Sequence, residues 1–343
     1  MLGAATLMLT FIVRRLVATV GLLVAVSFIT FVIFFVVPQW AGQTPYQMAL
    51  SYMGRGASPK NVLTVETRLG FNQAFIPHYL DYVKAMFVGA NYFDGSQYQH
   101  CSAPCFGYSF RTHVAVWPTV LGVFPVTLSI AAGAAVLWLL FGVASGVVSA
   151  VFKGSIWDRA SMVVSLLGVS VPIYFIAPMV MLVLCYNWNV LQPPTYVGIS
   201  QNPGSWAVNM ILPWTTLAFG YAALYTRLTR AGMLDALGED FTRTARAKGL
   251  SERKVIGKHA LRAAVTPIVT IFGMDVGALL GGAVLAEQSF SMHGVGELAL
   301  TAINEQDFPM IMGVTLFAAF FVILANLVVD VGYAALDPRV RLG

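Results

Sequence analysis

Asp275 stands alone in an apolar run, with Gly273, Gly277 and Gly281 spaced four apart around it. Such glycines suit a helix-packing face. Asp275 lies two positions from Gly273, about 200° around a helical axis, so it points away from that face. An ionisable group in an apolar stretch faces a polar interior, water or a partner. Two readings fit: a group on a solute pathway, or a hydrogen-bonded pin between helices. Asn326 and Asp330, four residues apart in another apolar run, fit interhelical hydrogen bonds or a gate. Gly142 and Gly146 form a second small-residue pair. Cys101 and Cys105 flank Ser102-Ala103-Pro104, which can turn the chain back. A small-loop disulfide is the expectation, with free thiols the alternative. His100 is adjacent, but three possible ligands from one short stretch fall short of a four-coordinate site, and no metal is expected.

Catalytic patterns do not emerge. The chain has no G-x-x-x-x-G-K-[ST], so it should not bind ATP by itself, and it has no H-E-x-x-H or G-x-S-x-G. Gly294-Val295-Gly296-Glu297-Leu298-Ala299 matches a loose G-x-G-x-x-[GA] pattern. It follows an apolar helix where a dinucleotide site needs a strand, so it reads as a flexible glycine turn. Catalytic residues and cofactors are therefore not expected in this chain.

The elements that must position these groups follow from composition. Of 343 residues, 58% are hydrophobic and 10% charged, against about 25% charged in a soluble domain. The 22 residues from Leu16 to Val37 carry no charge, and uncharged runs of 41 and 67 residues begin at Thr112 and Ala160. About 20 apolar residues span a bilayer, and a lipid-exposed backbone must satisfy its own hydrogen bonds, so spanning helices are predicted. Six are read, near 13–37, 124–151, 162–186, 209–230, 263–286 and 308–333. The first follows Arg14 and Arg15 and lacks a small-residue cleavage site, which makes it an uncleaved anchor. Pro172 and Pro178 are placed to kink the third or open its carbonyls. Trp117 to Pro125 is expected along the interface. Cys185, in the third span, reads as a packing residue.

Fifteen of the twenty Lys and Arg fall on one side of this scheme, nine of them between the fourth and fifth spans. That side is assigned to the cytoplasm, with both termini. The other five, Arg55, Lys60, Arg68, Lys84 and Arg111, share one long outer loop, and long loops translocate largely regardless of charge. The basic balance then reports loops of a membrane protein, not nucleic-acid binding. Three parts result: 1–37 with the first span, the loop 38–117 folding against the spans, and a five-helix core 118–343.

The segment 227–262 carries the strongest pattern. Met233, Leu237 and Phe241, with Leu234 beside them, form one apolar helical face. Gly249 suits a left-handed helix end, and Ser251 can cap a new helix starting near Glu252. The product is a basic helical hairpin within 231–262, suited either to anionic lipid headgroups or to a partner.

Here the residues become recognisable. Thr244-Ala245-Arg246-Ala247-Lys248-Gly249-Leu250, followed by His259-Ala260-Leu261-Arg262 and Pro267, resembles the coupling segment of ABC importer permeases, most closely the B-type subunit of oligopeptide and dipeptide importers. Phe11 to Leu16, Val116-Trp117-Pro118-Thr119, Glu287 to Gly296, Asn326 to Asp330 and the ending Leu336 to Arg341 agree. Two departures stand out: Arg243-Thr244-Ala245 replaces the broad pattern's Glu-Ala-Ala, and Pro38-Gln39-Trp40 replaces a Pro-Gly-Asp-Pro-like turn.

The resemblance implies an all-α membrane protein of the ABC importer permease (MetI-like) architecture, with six transmembrane helices and a cytoplasmic coupling-helix hairpin. It also implies a multi-pass protein of the cell membrane whose partners are a second, C-type permease subunit, two ATP-binding subunits that hold ATP and magnesium, and an extracytoplasmic substrate-binding protein. Ala245, Arg246, Ala247, Lys248, Gly249 and Leu250 would make the ATPase contact, and peptides would be the cargo. Nickel chelates or oligosaccharides are the alternative cargo, and an ion-coupled carrier using Asp275 is the alternative mechanism.

Overall fold

The computed structural model describes residues 2–53, 58–93 and 98–336, apart from the side chains of residues 2–12, Arg68 and 330–336. Arg55, Arg339, Arg341, the ending after Leu336 and the side chain of Asp330 lie outside the described residues.

In chain order the elements are α1 (Leu2–Phe31), a π turn (Val32–Val36), α2 (Val37–Trp40), α3 (Pro45–Met53), α4 (Pro59–Arg68), α5 (Phe75–Val88), β1 (Ala90–Phe93), β2 (Tyr98–Cys101), β3 (Tyr108–Ser109), β4 (Val114–Ala115), α6 (Val116–Val151), α7 (Ile156–Ser170), α8 (Ile173–Met181), a π turn (Leu182–Asn187), α9 (Pro203–Gly238), α10 (Asp240–Ala247), α11 (Glu252–Lys254), a π turn (Val255–Ala260), α12 (Leu261–Leu280), α13 (Val284–Ser289), α14 (Val295–Glu305) and α15 (Phe308–Leu336). The strands form two antiparallel hairpins, β1–β2 and β3–β4, inside the 38–117 loop.

Among the described residues, five stretches are long and apolar enough to cross a membrane: Val13–Trp40, Val116–Val151, Pro203–Gly238, Glu252–Leu280 and Phe308–Val329. A sixth exists only if Ile156–Ser170 and Ile173–Asn187, bent by 100°, count as one crossing. The third span, predicted as one helix that Pro172 and Pro178 could kink, instead turns a sharp corner. The residue before proline disfavours the helical region. Accordingly Val171 is extended (φ −95°, ψ 119°), and Pro172 starts α8.

The fifth span also differs from its prediction. It stops at Leu280, because Gly282 takes φ +136° and α13 begins separately. Gly281 therefore sits on the break and not on a continuous packing stripe, whereas Gly277 is buried within α12. Trp117 to Pro125, expected along the interface, instead forms the opening turns of the 36-residue α6. Gly294, expected in a flexible turn, is the N-cap residue of α14, and Gly296 lies inside that helix.

The chain divides into two compact units, residues 1–125 with 293–343, and residues 126–292. In the first, Phe31 and Phe35 from the first apolar stretch meet Met48, Tyr52, Phe71, Tyr108 and Phe110 from the loop, and Met312 from α15. Cys101 and Cys105 are joined in a disulfide, with their Cα atoms 5.6 Å apart. Ser109 donates to the buried Asp307 carboxylate, which also accepts from the Met310 amide at 3.3 Å.

His78 packs edge-on against Phe31 and Phe35. Burial pushes its imidazole below the ordinary value of 6.5, against the opposing effects of the Leu69 backbone and Asp81. The neutral form is thus favoured by folding, so this stabilisation is present above about pH 6.5 and is lost as pH falls through the folded pKa. Thermal midpoints of the purified protein are expected to drop on acidification from pH 7.5 to 5.5, and His78→Gln should flatten that slope.

The second unit is built around α9. Its core joins Ile130, Ala134 and Trp138 of α6 with Met210, Leu217 and Tyr225 of α9, Ile268 of α12 and Ala286 of α13. Cys185 is buried in the same core and free. Gly142 and Gly146 let α6 lie directly on α9. A Cβ at Gly146 would fall 2.5 Å from Thr229 Cβ and 2.7 Å from the Thr226 carbonyl. Gly146→Ala should therefore cost about 1–3 kcal/mol, read as a lowered thermal midpoint, while alanine at Gly122, with open space around it, should not.

Candidate functional site

The basic segment between α9 and α12 is shaped by two backbone events. Glu239 is extended (φ −71°, ψ 154°), which ends α9 and starts α10. The buried Thr242 hydroxyl pins this corner by donating to the carbonyls of Ala236 (2.5 Å) and Glu239 (3.0 Å). Gly249 takes φ +77°, a conformation that costs other L-residues roughly 1–2 kcal/mol. The amides of Gly249 and Leu250 turn back onto the carbonyls of Arg246 (2.9 Å) and Ala245 (3.3 Å). Ser251 precedes α11 at its N-terminus, but its carbonyl receives the Lys254 and Val255 amides and its side chain makes no capping bond.

Met233, Ala236, Ala260 and Ala264 form a buried cluster beneath the segment, with Leu234, Leu237 and Ile256 packed against it. Phe241 does not join them and is 44% exposed. The break at Glu239 interrupts the helical period that would have placed Phe241 on the Met233–Leu237 face. Of the six predicted contact residues, Ala245 is buried, Leu250 is half-buried, and Arg246, Ala247, Lys248 and Gly249 are exposed. Across the turn, Arg246 Nε donates to Glu252 Oε1 at 2.7 Å. That hydrogen bond raises the guanidinium pKa above its ordinary value. Arg243, Arg253, Lys254 and Lys258 are also exposed. The result is a basic corner standing on a small apolar base.

Sequence reasoning missed the ion pair that holds α9 at the root of this corner. Arg230 donates from Nε and Nη2 to Asp158 Oδ1 and Oδ2 at 2.7 and 3.0 Å. Asp158 also accepts from Ser149 Oγ (2.5 Å) and the Gly154 amide (2.8 Å). One carboxylate thus ties the end of α6, the following turn, α7 and α9. The signal was available: Asp158 is the sole Asp or Glu from residue 95 to residue 234.

Within the helices, the Tyr225 hydroxyl donates to Asp275 Oδ2 at 2.8 Å, linking α9 to α12. Asparagine keeps an acceptor at that place. Asp275→Asn is therefore expected to leave membrane abundance within about threefold of the parent, since a neutral hydrogen bond carries about 1 kcal/mol. A much larger loss would assign the charge itself a role. Asn326 is exposed on α15.

Glu287, also missed, is fully buried, and accepts from Thr127 Oγ1 at 2.7 Å and the Ala283 amide at 3.2 Å. It bridges the break between α12 and α13 to α6. Among the described residues no group of three His, Cys, Asp or Glu is placed to hold a metal ion.

These features, apolar helices with two breaks and a basic corner between α9 and α12, are those of a transport permease. Residues 139–342 match the model of the binding-protein-dependent transport system inner membrane component, and residues 8–131 match that of its N-terminal part. The chain belongs to this family of multi-pass permeases of ABC importers. Among its relatives, the dipeptide transport system permease protein DppB of Escherichia coli K12 is 32% identical over 357 residues, covering 97% of this chain and 99% of that protein. The di/tripeptide transport system permease protein DppB of Pseudomonas aeruginosa UCBPP-PA14 is 34% identical over 354 residues, with the same coverage. A chain of the inward-facing MetNI methionine ABC transporter is similar at 14% identity and a TM-score of 0.48, over 64% of this chain and 97% of that one.

Proposed function

We propose that this permease forms half of the translocation pathway of an importer for short peptides, driven by ATP hydrolysis in separate subunits. The observation that carries the reading is similarity of 32–34% across 97% of the chain to two permeases named for dipeptides and di/tripeptides. A second, C-type permease completes the pathway. Two ATPase subunits bind ATP and magnesium, and an extracytoplasmic binding protein delivers the cargo. The excess of Lys and Arg beside the crossings supports a cytoplasmic side for the basic corner and both termini.

In this reading Arg246, Ala247, Lys248, Gly249 and Leu250 sit in a cleft of an ATPase subunit, with Ala245 anchoring them from beneath. Closure of the ATPase pair on ATP displaces the corner. The displacement passes through α9 and α12 and biases a pathway with two arrangements, inward-facing and outward-facing. The disulfide between Cys101 and Cys105 fixes a hairpin of the outer loop.

Cells lacking this chain should lose uptake of labelled dipeptides and keep uptake of nickel chelates and oligosaccharides. Normal dipeptide uptake in those cells, or the opposite selectivity, would replace peptides as the cargo.

A further inference from the structure

Within the unit made of residues 1–125 and 293–343, α5 lines a pocket of about 200 Å³ with His78, Asp81, Tyr82 and Ala85. Spacings of three, four and seven positions put these four on one side of the helix. Two groups of rings form much of the remaining wall. Tyr92, Tyr108 and Phe110 pack on one another with centroids 5.5–6.2 Å apart. Phe35 lies 5.9 Å from Tyr52 and 6.3 Å from Tyr82.

Asp81 is the single carboxylate among the lining residues, and no Lys or Arg is among them. It is exposed, and among the described residues it has neither a hydrogen bond nor an ion pair. Its charge is felt by His78, one turn back on α5, yet burial holds that imidazole toward its neutral form. One net negative charge therefore stands beside aromatic walls. Ring faces attract cations, and a carboxylate beside them completes a site for an organic ammonium. An anion is repelled there, and a wholly apolar group leaves the carboxylate unpaired. The volume is below the roughly 300–1,000 Å³ of sites for drug-sized ligands, and it suits a single amino-acid residue.

We infer that this pocket binds an organic ammonium group, and that in the importer proposed above the group is the N-terminal ammonium of the cargo peptide. The first side chain of the peptide then lies against the rings. The inference rests on the peptide reading and adds a site on the outer loop to it. Every unblocked peptide carries that ammonium whatever its sequence, so the pocket receives cargo by its common end.

The test is saturation-transfer NMR on the complete importer without its binding protein, in lipid nanodiscs, with dialanine, N-acetyl-dialanine and n-butylammonium as probes. The parent is expected to bind dialanine and n-butylammonium but not N-acetyl-dialanine. Asp81→Asn, a change of nearly equal shape at an exposed position, should weaken both by roughly tenfold or more, and Asp81→Glu should keep part of the affinity. Unchanged binding in Asp81→Asn, or equal binding of dialanine and its acetylated form, would overturn the inference. Binding of n-butylammonium through Asp81 with none of dialanine would overturn the assignment to cargo and point to a basic side chain of the binding protein. Uptake of labelled dialanine by cells carrying the parent importer is measured alongside. A parent that imports no dipeptide refutes the cargo reading, and the dependence of n-butylammonium binding on Asp81 then judges the pocket by itself.

Discussion

Gly249→Val is expected to lower ATP-driven uptake by at least about tenfold while the permease still reaches the membrane. At φ +77° nothing lies within 4 Å of where a Cβ would stand, so space does not forbid a side chain. The penalty is in the backbone, where a β-branched residue at positive φ is an outlier. Roughly 1–2 kcal/mol of strain is relieved if the turn re-forms with another geometry, and that re-aims Lys248, Leu250 and the Arg246–Glu252 pair. A corner that transmits force by shape loses its fit while the helices beneath it stay packed. Gly249→Asn supplies the control, because asparagine enters the left-handed region more readily, and it should retain much of the uptake. ATPase activity of the purified complex, with and without binding protein and cargo, separates the outcomes. In Gly249→Val basal hydrolysis persists and its stimulation by cargo disappears.

Arg230→Ala is the second large effect. It leaves Asp158 with Ser149 and Gly154 as partners but without the guanidinium that matched both carboxylate oxygens. Removing one member of a partly buried pair harms more than removing both, because the survivor stays desolvated and unpaired. Membrane abundance of Arg230→Ala should therefore fall several-fold. The double variant Arg230→Met with Asp158→Asn should recover part of it. Quantitative blotting of membranes and the thermal midpoint of detergent extracts check this. Equal loss in the single and double variants would mean that the pair contributes through the arginine stem alone.

The sequence made some of this architecture legible and concealed the rest for physical reasons. Apolar runs separated by basic clusters identify crossings, because a membrane offers the backbone no other partners. Gly249 could be placed in a left-handed turn because the residues around it, a finished helix and a following Ser-Glu, leave few alternatives. The corner at Val171–Pro172 was harder. Proline predicts a kink, but whether a helix bends slightly or turns by 100° depends on what packs on either side. Likewise Phe241 kept the spacing of Met233 and Leu237, and only the extended backbone at Glu239 took it off their face.

Long-range pairs were concealed most fully. Arg230 finds Asp158 across 72 positions, and Thr127 finds Glu287 across 160. Periodicity reports neighbours on one helix and is silent about partners on another. An isolated acid such as Asp158, far from any other in sequence, was the clue that a distant cation must be close to it.

The central claim is that the corner between α9 and α12 is gripped by a separate ATPase. Placing a cysteine there by Lys248→Cys, in the complete complex, and cross-linking it to cysteines along the ATPase cleft tests this most directly. The account predicts a cross-link to the ATPase whose yield changes between nucleotide-free and ATP-bound states. An assembled, active complex in which Lys248→Cys reaches no ATPase cysteine in either state would contradict it.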